Sequence, residues 1–179
     1  MTDYCGKDVR PLRDKKLFLF DMDGTIYQEN TVFDGTRELL EEIREAGGRY
    51  VFITNNSSKS VRDYVDKVQK MGLQAEKENF FTSVQATILY LKEHHPGALV
   101  YCQGTRSMVE EVRRAGIRVT EEVRDGIDVV LVGFDMELTM PKLRNTCEIL
   151  TCQNPAYLAT NPDVCCPVSF GETPGFVPD

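Results

Sequence analysis

Two carboxylates stand two residues apart in Asp21-Met22-Asp23-Gly24-Thr25, directly after the apolar run Leu17 to Phe20. Residues two apart in an extended chain point to the same side, and paired carboxylates repel unless a cation lies between them. Gly24 permits the turn that lets backbone amides and both acids converge on one ligand. Hard oxygen donors with few other neighbours suit Mg²⁺, which keeps several waters and bridges to a phosphate. A calcium loop counted from Asp21 fails twice, because Ile26 stands where glycine is required and Val32 where the bidentate glutamate belongs. Asp-x-Asp-Gly strings also make ordinary turns, so the position of this one in the fold has to decide its meaning.

A second polar cluster, Thr54-Asn55-Asn56-Ser57-Ser58-Lys59-Ser60, follows the apolar stretch Tyr50 to Ile53 and opens a helical pattern. Hydroxyl and amide donors at a helix N-terminus favour an anion, although Ser58 or Ser60 also serve as plain helix caps. Thr54 lies 33 residues after Asp21, which is the length of a strand-helix-strand unit. Both polar ends should therefore emerge side by side at the carboxyl edge of a parallel sheet, where open α/β sheets bind ligands. Neither a Walker loop nor a dinucleotide glycine fingerprint occurs in the chain. A nucleotide-dependent kinase or a nicotinamide dehydrogenase would lack its usual phosphate cradle.

The elements that must hold these residues alternate. Leu17 to Phe20 reads as a strand buried on both faces, followed by a glycine-containing loop. Leu39, Leu40, Ile43 and Ala46 recur at helical spacing from Thr36 to Ala46, with Asp34 placed to cap and Gly47-Gly48 to stop. Tyr50 to Ile53 is a second strand, and Val61, Tyr64, Val65, Val68 and Met71 line a helix closed by Gly72. Asn79 to Ser83 offers a short third strand and Gln85 to Leu91 a helix, broken at His94-His95-Pro96-Gly97. The pattern resumes with a strand at Ala98 to Cys102, a helix at Arg106 to Ala115 and a strand at Ile127 to Val132. A helix opened by Pro141 and a strand at Ala156 to Ala159 complete it, and periodicity fades after Asn161. Such alternation predicts right-handed crossovers and parallel sheets, in one unit to about residue 83 and another from about 98.

Composition closes off other classes. The 179 residues are 41% hydrophobic and 27% charged, ordinary for a globular chain, with 28 acidic against 21 basic side chains. A net charge of −7 argues against nucleic acid or a basic membrane-binding face. With neither a signal-like N-terminus nor a run of ~18 apolar residues, a soluble cytoplasmic protein is expected. The six cysteines, at 5, 102, 147, 152, 165 and 166, read as reduced thiols, because an adjacent pair is a poor disulfide framework and the gaps do not match zinc knuckles. His94 and His95 sit where histidine commonly meets a helix end, and Lys59 and Lys142 lack a phosphate-binding spacing of their own.

Leu17 to Thr25 together with Thr54-Asn55-Asn56-Ser57 resembles the first two motifs of the haloacid dehalogenase superfamily, in its p-nitrophenyl phosphatase or NagD-like branch. Val132-Gly133-Phe134-Asp135 and Ala159-Thr160-Asn161-Pro162-Asp163 resemble that branch's cap motifs. The resemblance implies a doubly wound, Rossmann-like α/β core of parallel strands with an inserted smaller α/β cap, residues 1–90 supplying the N-terminal part of the core and 91–179 the cap. It implies Asp21 as nucleophile, Asp23 as general acid and base, and Asp23, Gly24, Thr54 and Asn55 around the phosphoryl group. The Asp21 carboxylate and the Asp23 carbonyl would hold Mg²⁺, and Asn161 and Asp163 would face the leaving group. The expected reaction is hydrolysis of a small phosphorylated metabolite. A non-catalytic phosphate-binding protein and a phosphotransferring mutase are the rival classes.

The family pattern also implies a lysine in a Gly-Lys-Pro setting and a Gly-Asp strand end after the cap. Neither is found in this sequence, and Lys142 and Asp135 fall in the cap by likeness. The expectation is the N-terminal part of a longer enzyme or a truncated product. An unpaired edge on the first strand would then favour homo-oligomers or poor solubility.

Overall fold

The computed structural model describes residues 2–3, 5–163, 165–168 and 171–174, the last two stretches in their backbone course. In chain order the elements are β1 (Leu17–Asp21), β2 (Tyr27–Gln28), β3 (Thr31–Val32), α1 (Thr36–Glu45), β4 (Arg49–Thr54), α2 (Val61–Lys70), β5 (Phe80–Thr82) and α3 (Ser83–His94). There follow β6 (Leu99–Gln103), α4 (Arg106–Arg114), β7 (Arg118–Thr120), β8 (Val129–Val132), α5 (Met140–Gln153), β9 (Ala156–Ala159), β10 (Cys165–Val168) and β11 (Gly171–Pro174). The expected alternation holds, with β7 and two small hairpins added. β2 and β3 form a small antiparallel hairpin in what reads as a glycine loop, and β10 and β11 form another where periodicity fades.

The first sheet runs β1-β4-β5, all parallel, with Asp21 opposite Ile53 and Thr54 opposite Thr82. Two successive right-handed crossovers that step the same way put both helices on one face. That face is a core of Tyr50, Phe52 and Phe80 from the strands with Leu40, Ile43, Val61, Tyr64 and Val68 from α1 and α2. Phe18 and Phe20 pack against it, whereas Leu17 and Leu19 on the other side of β1 are exposed. β1 is therefore not buried on both faces, because a continuous apolar run does not reveal how many layers will cover it. On α1, Leu39 is exposed as well, and Gly35 rather than Asp34 occupies the N-cap position, with no side-chain cap. On α2, Ser60 closes a reciprocal capping box with Asp63.

The second sheet is ordered β7-β6-β8-β9, again all parallel. α3 starts at the end of β5, yet its Val84, Ile88 and Leu91 join the cluster of Val100, Val109, Val112, Val129 and Leu131 under this second sheet. On the opposite face Tyr101, Val130 and Ile149 pack beneath α5. Helices thus cover both faces here, as a doubly wound sheet requires. Among the described residues no helix is long and apolar enough to cross a membrane. Cys5, Cys102, Cys147 and Cys152 are free, matching the reduced reading for those four, while the thiols of Cys165 and Cys166 lie outside the described residues. Burial pushes the Cys102 thiol up to about 12, so it is an inert core residue.

Candidate active site

β1 delivers Asp21 to its carboxyl end, and the chain then turns tightly. Gly24, at φ 83°, donates its amide to the Tyr27 carbonyl at 2.9 Å, while the amides of Thr25 and Ile26 go to the Met22 carbonyl. A side chain at Gly24 would be strained in that left-handed conformation. Met22 and Tyr27 are fully buried beneath the turn, which leaves Asp21 and Asp23 exposed above it. The Thr25 hydroxyl lies 3.4 Å from Asp21 Oδ2 as a donor.

The parallel pairing of Asp21 with Ile53 sets Thr54, the next residue of β4, beside the acidic turn. Thr54 is buried and its hydroxyl accepts the Asn56 amide at 3.2 Å, so its own proton remains to be donated. The rest of the loop is fixed from several directions. Asn56 Oδ1 accepts the Ser58 amide at 2.9 Å, Tyr64 donates to the Asn56 carbonyl at 3.0 Å, and Ser83 donates to the Asn55 carbonyl at 2.9 Å. The sequence offers Ser58 or Ser60 as plain helix caps. Ser60 does cap α2, but Ser57 is fully buried and bonds to the second sheet, accepting the Phe134 amide at 2.8 Å and the Thr160 hydroxyl at 2.7 Å. Thr105, at the start of α4, donates to the Ser58 carbonyl at 2.8 Å. No local pattern signals these contacts, which join residues as much as 103 apart.

The loop after β9 closes over the same point. Asn55 Nδ2 donates to Asp163 Oδ2 at 2.5 Å, and Asn161 Nδ2 lies 3.3 Å from the same oxygen. Asp21, Asp23, Gly24, Thr54 and Asn55 thus lie at two adjacent strand ends, with Asp163 reaching Asn55 from the second unit and Asn161 bonded to Asp163. His94 and His95 do not belong here; their rings pack at a tilt against Tyr90 at the far end of α3. Lys142 is spent within the second unit, bound to the buried Asp135 carboxylate and the Gly104 carbonyl at 2.9 Å each. A cation the sequence pattern did not single out, Lys67 of α2, lies 3.9 Å from Asp23 Oδ1 and 3.8 Å from the centre of the Tyr27 ring. Burial holds the Lys67 ammonium below its ordinary value, against the pull of Asp23, and raises the Tyr27 phenol.

The donor set suits a hard divalent cation. The turn's hydrogen bonds draw on the carbonyls of Met22 and Tyr27, and the Asp21 and Asp23 side chains are exposed hard-oxygen groups beside it. No cluster of three or more acidic, histidine or cysteine ligands occurs among the described residues, which is against a cage-type metal site there.

The family model for haloacid dehalogenase-like hydrolases matches residues 18–118. An acid sugar phosphatase of Staphylococcus aureus is 32% identical over 165 residues, covering 92% of this chain and 62% of that protein. The crystal structure of a 4-nitrophenylphosphatase from Thermotoga maritima superposes with a TM-score of 0.83 at 34% identity, over 92% of this chain and 61% of that one. A glycerol phosphate phosphatase of Mycobacterium tuberculosis, solved in complex with magnesium, gives a TM-score of 0.83 at 27% identity, over 91% and 49%. The chain spans about three-fifths of the curated relatives it matches, 62% of their length. With two parallel α/β sheets, the paired acids on β1 and the matched family model over more than half its length, this chain belongs to the haloacid dehalogenase-like hydrolases.

Proposed function

We propose that the protein hydrolyses a small phosphorylated metabolite, a sugar or polyol phosphate in class, through an aspartyl-phosphate on Asp21. Residues 1–90 act as the core portion and 91–179 as the cap, and the reaction takes place in the cytoplasm. The observation that carries this reading is the pairing of β1 with β4, which sets the acids of one strand end beside the hydroxyl and amide donors of the next. Asp21 supplies a carboxylate oxygen to phosphorus, and the bond from phosphorus to the ester oxygen breaks. Asp23 gives its proton to that leaving oxygen, then takes one from the water that attacks the phosphoaspartate. Release of inorganic phosphate restores the Asp21 carboxylate. The Thr54 hydroxyl and the Asn55 backbone amide hold phosphoryl oxygens, with Gly24 leaving the turn's amides open to them. The Asp21 carboxylate and the Asp23 carbonyl would hold Mg²⁺, whose positive charge would offset the negative charge gathering on the phosphoryl oxygens. Asn161 and Asp163 meet the part of the substrate that leaves, in keeping with a sugar phosphatase and a glycerol phosphate phosphatase among the relatives.

The test is phosphate release from p-nitrophenyl phosphate and from a panel of sugar phosphates, with Mg²⁺ and with EDTA. Turnover that EDTA abolishes supports the reading. Phosphate binding without turnover in Mg²⁺ favours a non-catalytic binding protein instead.

A further inference from the structure

We propose that Lys67 is a positioning residue for Asp23, holding its carboxylate in the orientation that proton transfer to the leaving group requires. This rests on the phosphatase reading above. A lysine halfway along a surface helix ordinarily lays its stem on the core and sends its ammonium into water. Lys67 does otherwise. Its side chain is only 18% exposed, and the ammonium is set between the face of the Tyr27 ring, 3.8 Å from the centroid, and Asp23 Oδ1 at 3.9 Å. Desolvating an ammonium is unfavourable unless an anion and a π-face compensate, and both are supplied.

Each part is fixed by backbone. Tyr27 is fully buried, and it pairs with Asp23 through a bridge closed by the Gly24 amide on the Tyr27 carbonyl. Lys67 follows buried Tyr64 by three residues and precedes buried Val68 by one, so it flanks the helix face that packs on the core. The Asp23 side chain, by contrast, is 53% exposed. An exposed carboxylate samples several rotamers, and a misplaced proton donor loses much of its value. The ammonium is a rigidly seated charge that selects one of them. A distance of 3.9 Å exceeds a hydrogen bond, so the action is orientation by charge rather than proton sharing.

The experiment uses the whole chain in Mg²⁺, as wild type, Lys67→Met, Lys67→Arg, Asp23→Asn and Lys67→Met/Asp23→Asn. Methionine keeps the apolar stem, so the helix packing survives. Three-bond couplings from Asp23 Cγ to its amide nitrogen and carbonyl carbon report the side-chain rotamer directly. Wild type and Lys67→Arg are expected to show one rotamer and Lys67→Met an average. Unchanged couplings in folded Lys67→Met overturn the proposal. Kinetically, Lys67→Met should slow glycerol phosphate, whose alkoxide needs a proton to leave, by on the order of 10²-fold. It should slow p-nitrophenyl phosphate far less, with Lys67→Arg restoring most of the rate and no added loss in the Asp23→Asn background. Equal losses on both esters, or full additivity with Asp23→Asn, overturn it as well. Should wild type release no phosphate from either ester, the phosphatase reading of this chain fails, while the couplings still decide the role of Lys67.

Discussion

The Asn55 side-chain amide donates to Asp163 across 2.5 Å, so the strand-end loop that would grip a phosphoryl group is tied to the loop that follows β9. The bond links residues 108 apart and couples the position of one loop to the other. Replacing Asp163 with alanine should free the Asn55 side-chain amide. A charge-assisted bond nets roughly 1.5–3 kcal/mol, less at a half-exposed site, so KM should rise by about tenfold or less. Steady-state kinetics on the preferred ester checks this, together with the shift of the Asn55 side-chain amide resonance. A fall in kcat at constant KM would place Asp163 in the chemistry instead.

Asp21→Asn should abolish turnover and leave the fold intact, because the amide fits the same space and cannot attack phosphorus. Asp23→Asn should lose roughly 10²- to 10⁴-fold, with the smaller losses on leaving groups that need no proton. Rates on a series of aryl and alkyl phosphates, with circular dichroism as the control for folding, separate the two roles. Near-normal turnover in Asp21→Asn would remove it as nucleophile.

Ser57 is the joint between the two sheets. Alanine there leaves the Phe134 amide and the Thr160 hydroxyl without their buried partner, a loss of about 1–3 kcal/mol. For a chain of this size each kcal/mol lowers Tm by roughly 2–4 °C. Hydrogen exchange should accelerate at the Phe134 amide in particular. Protection at Phe134 equal to wild type would show that the contact contributes nothing to docking.

Much of this was legible in residue order, because buried strands and amphipathic helices announce themselves by period. Asp21, Thr54 and the parallel register between their strands follow from a 33-residue spacing and the handedness of crossovers. The β2–β3 hairpin was hidden because its strands are two residues long and its turn places Glu29 at φ 53° without a glycine. β7, a strand of three residues that begins two after Gly116, is too short for a period to show. Lys67 and Ser57 escaped for another reason. Each looks like a helix-surface or capping residue until the tertiary fold brings Tyr27, Asp23, Phe134 and Thr160 against it.

Two acids at the junction of α2 and α4 should titrate in opposite senses. Burial, with the Asp63 charge adding to it, holds Glu111 above the usual carboxylate range, although its Oε2 accepts the Val61 amide at 2.9 Å. Burial alone would raise Asp63 too, but donors from Ser107 and Ser60 outweigh it and hold that carboxyl low. A raised carboxyl contributes stability that is present below its unfolded pKa of about 4.3 and lost as pH rises through the folded value. The advantage of Glu111→Gln over wild type should therefore grow from about pH 4 upward and then level off. Asp63 contributes stability above about pH 3.9 that is lost as pH falls through its lower folded value, so the advantage of wild type over Asp63→Asn should shrink as pH falls below about 3.9. Urea midpoints measured from pH 3 to 7 decide both, and a difference for Glu111→Gln that does not change with pH would contradict the buried-carboxyl account.

The first sheet ends with one face bare. Leu17 and Leu19 of β1, Ile53 of β4 and Phe81 of β5 are all exposed on the side away from α1 and α2, and the register sets Ile53 opposite Phe81. β1 is also the edge of that sheet among the described residues, so its outer backbone groups adjoin the same apolar surface. An edge strand that is apolar from Leu17 to Phe20 beside an apolar face is the arrangement that promotes strand-to-strand association. The chain should bind a hydrophobic dye and sediment as larger species as its concentration rises. Leu19→Lys, at a site 59% exposed, puts a charge on the edge and breaks the patch without touching the core beneath Phe18 and Phe20. Stability should change by no more than about 0.5 kcal/mol, as for surface substitutions generally. Dye binding and the sedimenting aggregate should both fall, and Leu19→Lys that associates as strongly as wild type would mean the bare face is not the surface through which copies meet.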